Sequence, residues 1–210
     1  MAGYVSDAVI RRLPAYNRHL RELEGEGILQ ISSQELGDRM GLTPSQIRQD
    51  INSFGGFGRQ GYGYQVKELR QHIRHIMGLD QEHRMVIIGA GRMGQAIANY
   101  TGFPRQGFFT EALFDIDPAK IRMGTAEMPV YHADELEERL KELHAVIGVL
   151  ALPPEAAQDT LDRLYRSGIR AIWNFSPVDL HYPPDMAVVN VHLSDLLQIL
   201  SYQMKRQQEE

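Results

Sequence analysis

Residues 84–94 read Arg84-Met85-Val86-Ile87-Ile88-Gly89-Ala90-Gly91-Arg92-Met93-Gly94, and the helix-forming run Gln95-Ala96-Ile97-Ala98-Asn99-Tyr100 follows directly. An apolar stretch of strand length thus runs into three spaced glycines, and a helix opens behind them. The glycines serve different ends. Gly89 permits the tight turn, Gly91 lets a pyrophosphate approach the backbone, and Gly94 lets the helix pack closely on its strand. Three glycines at this spacing are weak alone, but strand, loop and helix in this order are specific. They predict a dinucleotide site in which Gly89, Ala90, Gly91, Arg92, Met93 and Gly94 line the phosphates.

Outward from this loop, Ala112-Leu113-Phe114 forms a second strand ending in Asp115, 21 residues past Gly94. That is the distance at which such folds place an acidic residue on the ribose hydroxyls, with Asp117 a near alternative. Ile116-Asp117-Pro118 offers no arginine for a 2′-phosphate, and a carboxylate would repel one, so NAD⁺ and NADH are expected rather than NADP(H). Further strands are predicted at Val130-Tyr131, Val146–Leu152, Ala171–Phe175 and Ala187–Val191, with amphipathic segments over 134–143 and 155–167 between them. Alternating strands and helices predict an α/β domain, a Rossmann-like doubly wound parallel sheet whose ligand lies off the carboxyl ends of its strands. Leu152 and Pro153 at one end, and Asn174, Phe175 and Ser176 at another, are the candidates for the nicotinamide side.

In front of this domain, Val9, Leu13, Tyr16, Leu20 and Leu23 recur at helical spacing, with Pro14 either kinking the helix or starting a second one. Ser32-Ser33-Gln34-Glu35 then offers a capping box for a helix over 33–40. After Gly41-Leu42, Thr43-Pro44-Ser45-Gln46 repeats the signal for a helix over about 44–53. Two short capped helices joined at a glycine form a helix-turn-helix, and the second is expected to present Ser45, Gln46, Arg48, Gln49 and Asn52 to base edges and phosphates. Ser32, Ser33 and Thr43 complete the expected DNA contacts from the helix starts. The glycine- and aromatic-rich segment 54–64 predicts a two-stranded wing, with Arg59 at its tip placed for a minor groove and Tyr62 a further expected DNA contact. Val66, Leu69, Ile73 and Ile76 form the next helical stripe; His72 and His75 on it are expected to lie on a solvated face rather than to hold a metal.

Leu193, Leu196, Leu197, Leu200 and Met204 make a terminal helix apolar enough to need a partner surface, either its own sheet or a second subunit. A two-fold DNA reader needs a dimer, which favours the second. The predicted organisation is a winged helix-turn-helix over 1–80, the dinucleotide domain over 81–191 and a dimerisation helix over 192–210. Residues 1–80 hold 10 Lys/Arg against 9 Asp/Glu, and the remainder 12 against 18. Bulk charge therefore does not point to DNA, and positive charge must be focused on one face or doubled in a dimer. The absence of cysteine excludes disulfides, thiolate metal sites and thiol redox sensing. No secretory signal is recognisable and no apolar run spans a membrane, so a cytoplasmic protein is expected.

Across nearly the whole chain these residues resemble the Rex family of redox-sensing repressors. The resemblance is carried by Ile31-Ser32-Ser33-Gln34-Glu35-Leu36, Gln46-Ile47-Arg48-Gln49-Asp50, Phe54-Gly55-Gly56-Phe57-Gly58, Gly61-Tyr62-Gly63-Tyr64, Gly78-Leu79-Asp80, the glycine loop, Phe114-Asp115-Ile116-Asp117-Pro118 and Ile172-Trp173-Asn174-Phe175. It implies a homodimer that binds an inverted-repeat operator in double-stranded DNA and leaves it when NADH binds, with the C-terminal helix swapped between subunits. It also implies that Arg18 and Tyr100 couple the nicotinamide site to the DNA-binding domain. Three departures stand out: Gln49 where many members are basic, Asn52-Ser53 where Ser-Tyr is common, and His192-Leu193 where some members carry an Asp-Phe pair at the nicotinamide pocket.

Two other classes share the glycine loop. A small NAD-dependent dehydrogenase would need a substrate domain, for which no chain remains, and no Tyr-x-x-x-Lys pair occurs. A CoA-binding module would not require Asp115.

Overall fold

The computed structural model describes residues 6–55 and 63–209, and the chain divides into two units, Met1–Gln81 and Glu82–Glu210. In the first unit α1 (Asp7–Ile10) and α2 (Leu13–Gly25) are followed by β1 (Gln30–Ile31), α3 (Ser33–Met40), α4 (Pro44–Phe54), β2 (Tyr64–Gln65) and α5 (Val66–Ile76). Pro14 falls in the first turn of α2, where its missing N–H has no intrahelical acceptor to lose, so it starts a helix rather than kinking one. Both predicted capping boxes form: Ser32 with Glu35 opens α3, and Thr43 with Gln46 opens α4. Gly41 closes α3 with φ 67°, a left-handed conformation that glycine adopts without strain. The helices pack through Leu13, Tyr16, Leu20, Leu36, Ile47, Ile51, Leu69 and Ile73.

Two expectations in this unit are corrected. Phe54 belongs to the last turn of α4 instead of a wing strand, and the strand after the wing, β2, pairs antiparallel with β1 through Gln30↔Gln65 and Ile31↔Tyr64. The rest of the wing, including Arg59 and Tyr62, lies outside the described residues. His72 is not merely solvated: its Nε2 lies 2.9 Å from the Phe54 carbonyl oxygen and its ring stacks on Phe54. His75 is exposed and pairs with Asp80 at 2.8 Å, and no metal-ligand cluster occurs among the described residues.

In the second unit the order is β3 (His83–Ile88), α6 (Arg92–Ala98), β4 (Phe108–Asp115), α7 (Pro118–Ile121), β5 (Val130–His132), α8 (Leu136–Arg139), β6 (Ile147–Leu150), α9 (Pro154–Arg166), β7 (Ala171–Asn174), β8 (Ala187–Asn190) and α10 (Leu193–Glu209). All six strands are parallel in the order β5-β4-β3-β6-β7-β8. This is the doubly wound dinucleotide arrangement, and its strand order reverses between β3 and β6. Side chains alternate across the sheet: Met85 and Ile87 face α6, whereas Val86 and Ile88 face Leu161 and Leu164 of α9. The helix predicted over 134–143 shortens to α8, because residues 140–144 wind on as turns and end at His144 with φ 37°.

Every residue of α10 from 193 to 208 is exposed, including Leu193, Leu196, Leu197, Ile199, Leu200, Tyr202 and Met204. On the α6 side of the sheet an apolar groove stays open between Met85, Phe103, Phe108, Ile147, Trp173 and Val189. Among the described residues no helix is long and apolar enough to cross a membrane.

Candidate functional site

The glycine loop leaves β3 at the reversal point, beside the turn that ends β6. A Cβ on Gly89, whose φ is +104°, would lie 2.3 Å from the Ala151 carbonyl oxygen, and one on Gly94 would lie 1.8 Å from the Gly89 carbonyl oxygen. Neither position admits a side chain without moving backbone. Gly91 differs: a Cβ there would meet nothing within 4 Å. Glycine is not required at that point by the protein's own packing, and the open space is where a phosphate is received in this fold. Gly91 caps α6, and exposed Arg92 and Met93 begin it.

Asp115 ends β4 with 7% exposure, and its carboxylate accepts three hydrogen bonds. Its Oδ2 accepts the Ala90 N–H at 2.7 Å and the Lys120 ammonium at 3.0 Å, while Oδ1 accepts the Asp117 N–H at 2.9 Å. Burial opposes its charge, yet the bonds from Asp117, Lys120 and Ala90 together hold its pKa below the ordinary aspartate value. Asp115 is therefore ionised and sits against the loop. The Ala90 N–H, expected to face a phosphate, is turned to Asp115 instead. Asp117 caps α7, its Oδ1 accepting the Ala119 N–H at 2.8 Å.

Along the other strand ends, Leu152 is half-buried, Pro153 is exposed before α9, and half-buried Phe175 packs edge-on against Trp173. Asn174 and Ser176, predicted on the nicotinamide side, are buried within the turn. Asn174 donates to the Val178 carbonyl and to Asn190 Oδ1 and accepts the Ser176 N–H, and Ser176 Oγ accepts the Leu152 N–H at 3.3 Å. These side chains shape the turn, and no buried side-chain polar atom among the described residues is left without a partner. Tyr100 is exposed and leans edge-on against Phe103, and His192 Nε2 lies 3.6 Å from Asp179 Oδ1 ahead of α10.

In the first unit, α4 exposes Ser45, Gln46, Arg48, Gln49 and Asn52 and buries Ile47, Asp50 and Ile51. The Arg48 guanidinium donates to Ser33 Oγ at 3.1 Å and to Ser45 Oγ at 3.0 Å, so the helix starts of α3 and α4 converge on one cation. Ser32, Thr43 and Gln46 are engaged in the capping boxes, which limits them as base readers. Arg18 is exposed on α2.

Sequence reasoning missed a second polar centre. Asp50 Oδ1 and Oδ2 each accept from the Arg12 guanidinium at 2.7 Å, and Oδ2 also accepts the Tyr16 hydroxyl at 2.9 Å. The bidentate pair ties the start of α2 to the buried side of α4. One signal was present in the sequence: a carboxylate between Ile47 and Ile51 on an apolar helical face requires a buried partner.

Residues 4–52 match the family described as "DNA-binding protein N-terminus" and residues 80–178 the family described as "CoA binding domain". The redox-sensing transcriptional repressor Rex of Caldanaerobacter subterraneus subsp. tengcongensis is 50% identical over 204 residues, covering 97% of this chain and 91% of that one. The Rex of Clostridium botulinum strain Eklund 17B is 50% identical over 203 residues, covering 97% of each. The chain belongs to the Rex family. Among solved structures, RSP with β-NAD⁺ and operator DNA superposes with a TM-score of 0.92 at 49% identity, covering 98% of this chain and 94% of that chain. RSP with β-NADH gives 0.88 at 46% identity, covering 97% of this chain and 96% of that chain. The Rex relatives are named as repressors, not enzymes, which sets aside the dehydrogenase reading. The matched CoA-binding segment spans the glycine loop and strands β3 to β7 of the sheet.

Proposed function

We propose that this chain is a cytoplasmic redox-sensing repressor that binds an inverted-repeat operator as a homodimer and leaves it when NADH binds. The observation that carries the reading is the coexistence of two built surfaces on one chain. One is the pre-positioned Arg48 on an exposed, capped α4. The other is a glycine loop whose middle glycine faces open space beside an ionised carboxylate.

On the DNA side, Arg48 is held by Ser33 and Ser45, which orients its fork for the two acceptors of a guanine edge, while Gln49 and Asn52 supply amides one and four residues further on. On the nucleotide side, the loop backbone and the α6 start bind phosphates, Asp115 and Asp117 stand at the ribose end, and Leu152, Pro153 and Phe175 line the apolar approach to the nicotinamide. Bound dinucleotide supplies a ring whose charge differs between its oxidised and reduced forms. Arg18, Tyr100 and His192 are proposed to convert that difference into a change in the DNA-binding unit. The exposed apolar face of α10 supports dimerisation, since seven large apolar side chains facing water favour burial against a second copy.

NADH can release the dimer only as far as it binds the released state more tightly than the DNA-competent one. A hundredfold loss of operator affinity corresponds to about 2.7 kcal/mol of coupling. The test is fluorescence-anisotropy binding to an inverted-repeat duplex at fixed salt, titrated with NADH, NAD⁺ and NADPH. Tight binding reversed by NADH, and far less by NAD⁺ or NADPH, is expected. NADH binding without binding to any inverted repeat would return the chain to the enzyme class.

A further inference from the structure

Selectivity read from the sequence rests on the absence of an arginine among Ile116-Asp117-Pro118 and on carboxylate repulsion of a 2′-phosphate. Folding supplies a cation nonetheless. The single turn of α7 brings Lys120 back to the end of β4, where its Nζ lies 3.0 Å from Asp115 Oδ2 while the side chain keeps 35% exposure. The same carboxylate oxygen accepts the Ala90 N–H, so the ion pair abuts the glycine loop. An ammonium at the end of the second strand has what a 2′-phosphate needs, a compact charge with three rotatable donors. Here that charge is balanced by a carboxylate that is itself almost wholly buried.

We infer that Asp115 and Lys120 form a specificity lock, in which Asp115 neutralises a latent 2′-phosphate site at Lys120, presupposing the dinucleotide reading proposed above. Discrimination against NADPH then depends on one carboxylate and not on the lack of a cation. Without a lysine there, loss of the carboxylate would weaken NADH binding and relieve only its own repulsion of a 2′-phosphate. With Lys120 released beside the strand end that receives the ribose, the same loss converts preference. Asp115→Asn preserves the side chain's shape and keeps one oxygen to accept a loop amide.

The test is calorimetric titration of the full-length protein with NADH and with NADPH, for wild type, Asp115→Asn, Lys120→Met and the double variant. Wild type is expected to favour NADH. Asp115→Asn is expected to lose NADH affinity and gain NADPH affinity by about tenfold, the lower end of a charge-assisted hydrogen bond's contribution. Lys120→Met is expected to remove most of that gain in the double variant. Alone, it should weaken NADPH about fivefold more than NADH, because the remaining carboxylate is then unopposed. A gain that survives loss of Lys120 undiminished, or no gain in a folded Asp115→Asn protein, overturns the lock. Should Asp115→Asn fail to fold, equal effects of Lys120→Met on both dinucleotides overturn it. Wild-type protein that binds neither dinucleotide instead overturns the nucleotide reading beneath it.

Discussion

Replacing Asp50 with alanine removes an acceptor that three donors share. Its side chain is 4% exposed and takes two bonds of 2.7 Å from Arg12 and one of 2.9 Å from buried Tyr16. Removing one member of a buried ion pair typically costs about 3–5 kcal/mol, because the other charge is stranded. Arg12 keeps 31% exposure, so water recovers part of that loss. Tyr16 has no such relief, and an unpaired buried hydroxyl costs about 1–3 kcal/mol. Together these place the destabilisation of the first unit at about 2–4 kcal/mol. With urea m-values of about 1–3 kcal/mol per molar, the midpoint followed by circular dichroism should fall by about 1–2 M.

Operator affinity should fall with it, since Asp50 lies on the helix that carries Arg48, whereas NADH affinity should hold because all of Asp50's partners belong to the first unit. Replacing both charges with apolar residues, Arg12→Met with Asp50→Leu, should recover much of the lost stability, since neither charge is then stranded. A midpoint for Asp50→Ala within about 0.3 M of wild type, with normal operator binding, would refute the claim that this pair holds α4 in place.

Arg48→Ala should weaken specific operator binding by about 1–3 kcal/mol per half-site and leave NADH affinity unchanged, measured by anisotropy and calorimetry. Gly91→Ala should fold normally but bind NADH poorly, since its methyl group enters space that only a ligand would occupy; Gly94→Ala should lower stability itself, its Cβ falling 1.8 Å from a carbonyl oxygen. Thermal melts separate the two. Arg163 holds the Glu137 carboxylate down to a pKa of about 2 against an ordinary 4.5, so the wild-type advantage over Glu137→Gln should be full above about pH 4.5 and vanish as pH falls toward 2. Leu196→Glu with Leu200→Glu on α10 should shift the proposed dimer to monomer in sedimentation, and an unchanged dimer would assign the interface elsewhere.

Local chemistry was legible in the sequence and distant pairing was not. Both capping boxes, the Gly41 turn and the strand, glycine loop and helix at 84–100 depend on residues within a few positions of each other, and each forms, the helix starting three residues early at Arg92 and ending at Ala98. The short β1–β2 ladder joins residues more than thirty apart across two helices, and nothing in the 54–64 pattern names Gln30 as a partner. Asn174 reads as a ligand-facing amide because it ends a strand, where this fold places its ligands. That its three bonds close a turn and reach Asn190 depends on β8 lying beside β7, a register the composition does not encode. Lys120 is invisible to a motif that asks for an arginine within three residues of Asp115, because one turn of helix returns a lysine from five residues on.

The caps also narrow the reading surface. Ser32, Thr43 and Gln46 are expected from the sequence at the DNA, yet their side-chain oxygens hold backbone amides at the starts of α3 and α4. Turning any of those oxygens to a base would leave such an amide unpaired at a helix N-terminus, which costs about 1 kcal/mol; the Gln46 Nε2 group is not committed in this way. On the proposed reading, sequence discrimination on this helix then rests mainly on Arg48, Gln49 and Asn52, with Ser33 and Ser45 fixing the arginine fork. Two of those three readers carry amides, whose paired donor and acceptor suit adenine, while the arginine suits guanine. Gln49 replaces a charge with an amide where many members of the family are basic, which moves that position from a phosphate or guanine contact toward adenine. The operator preference of this protein should accordingly differ from theirs at the base Gln49 meets, while the guanine under Arg48 is retained.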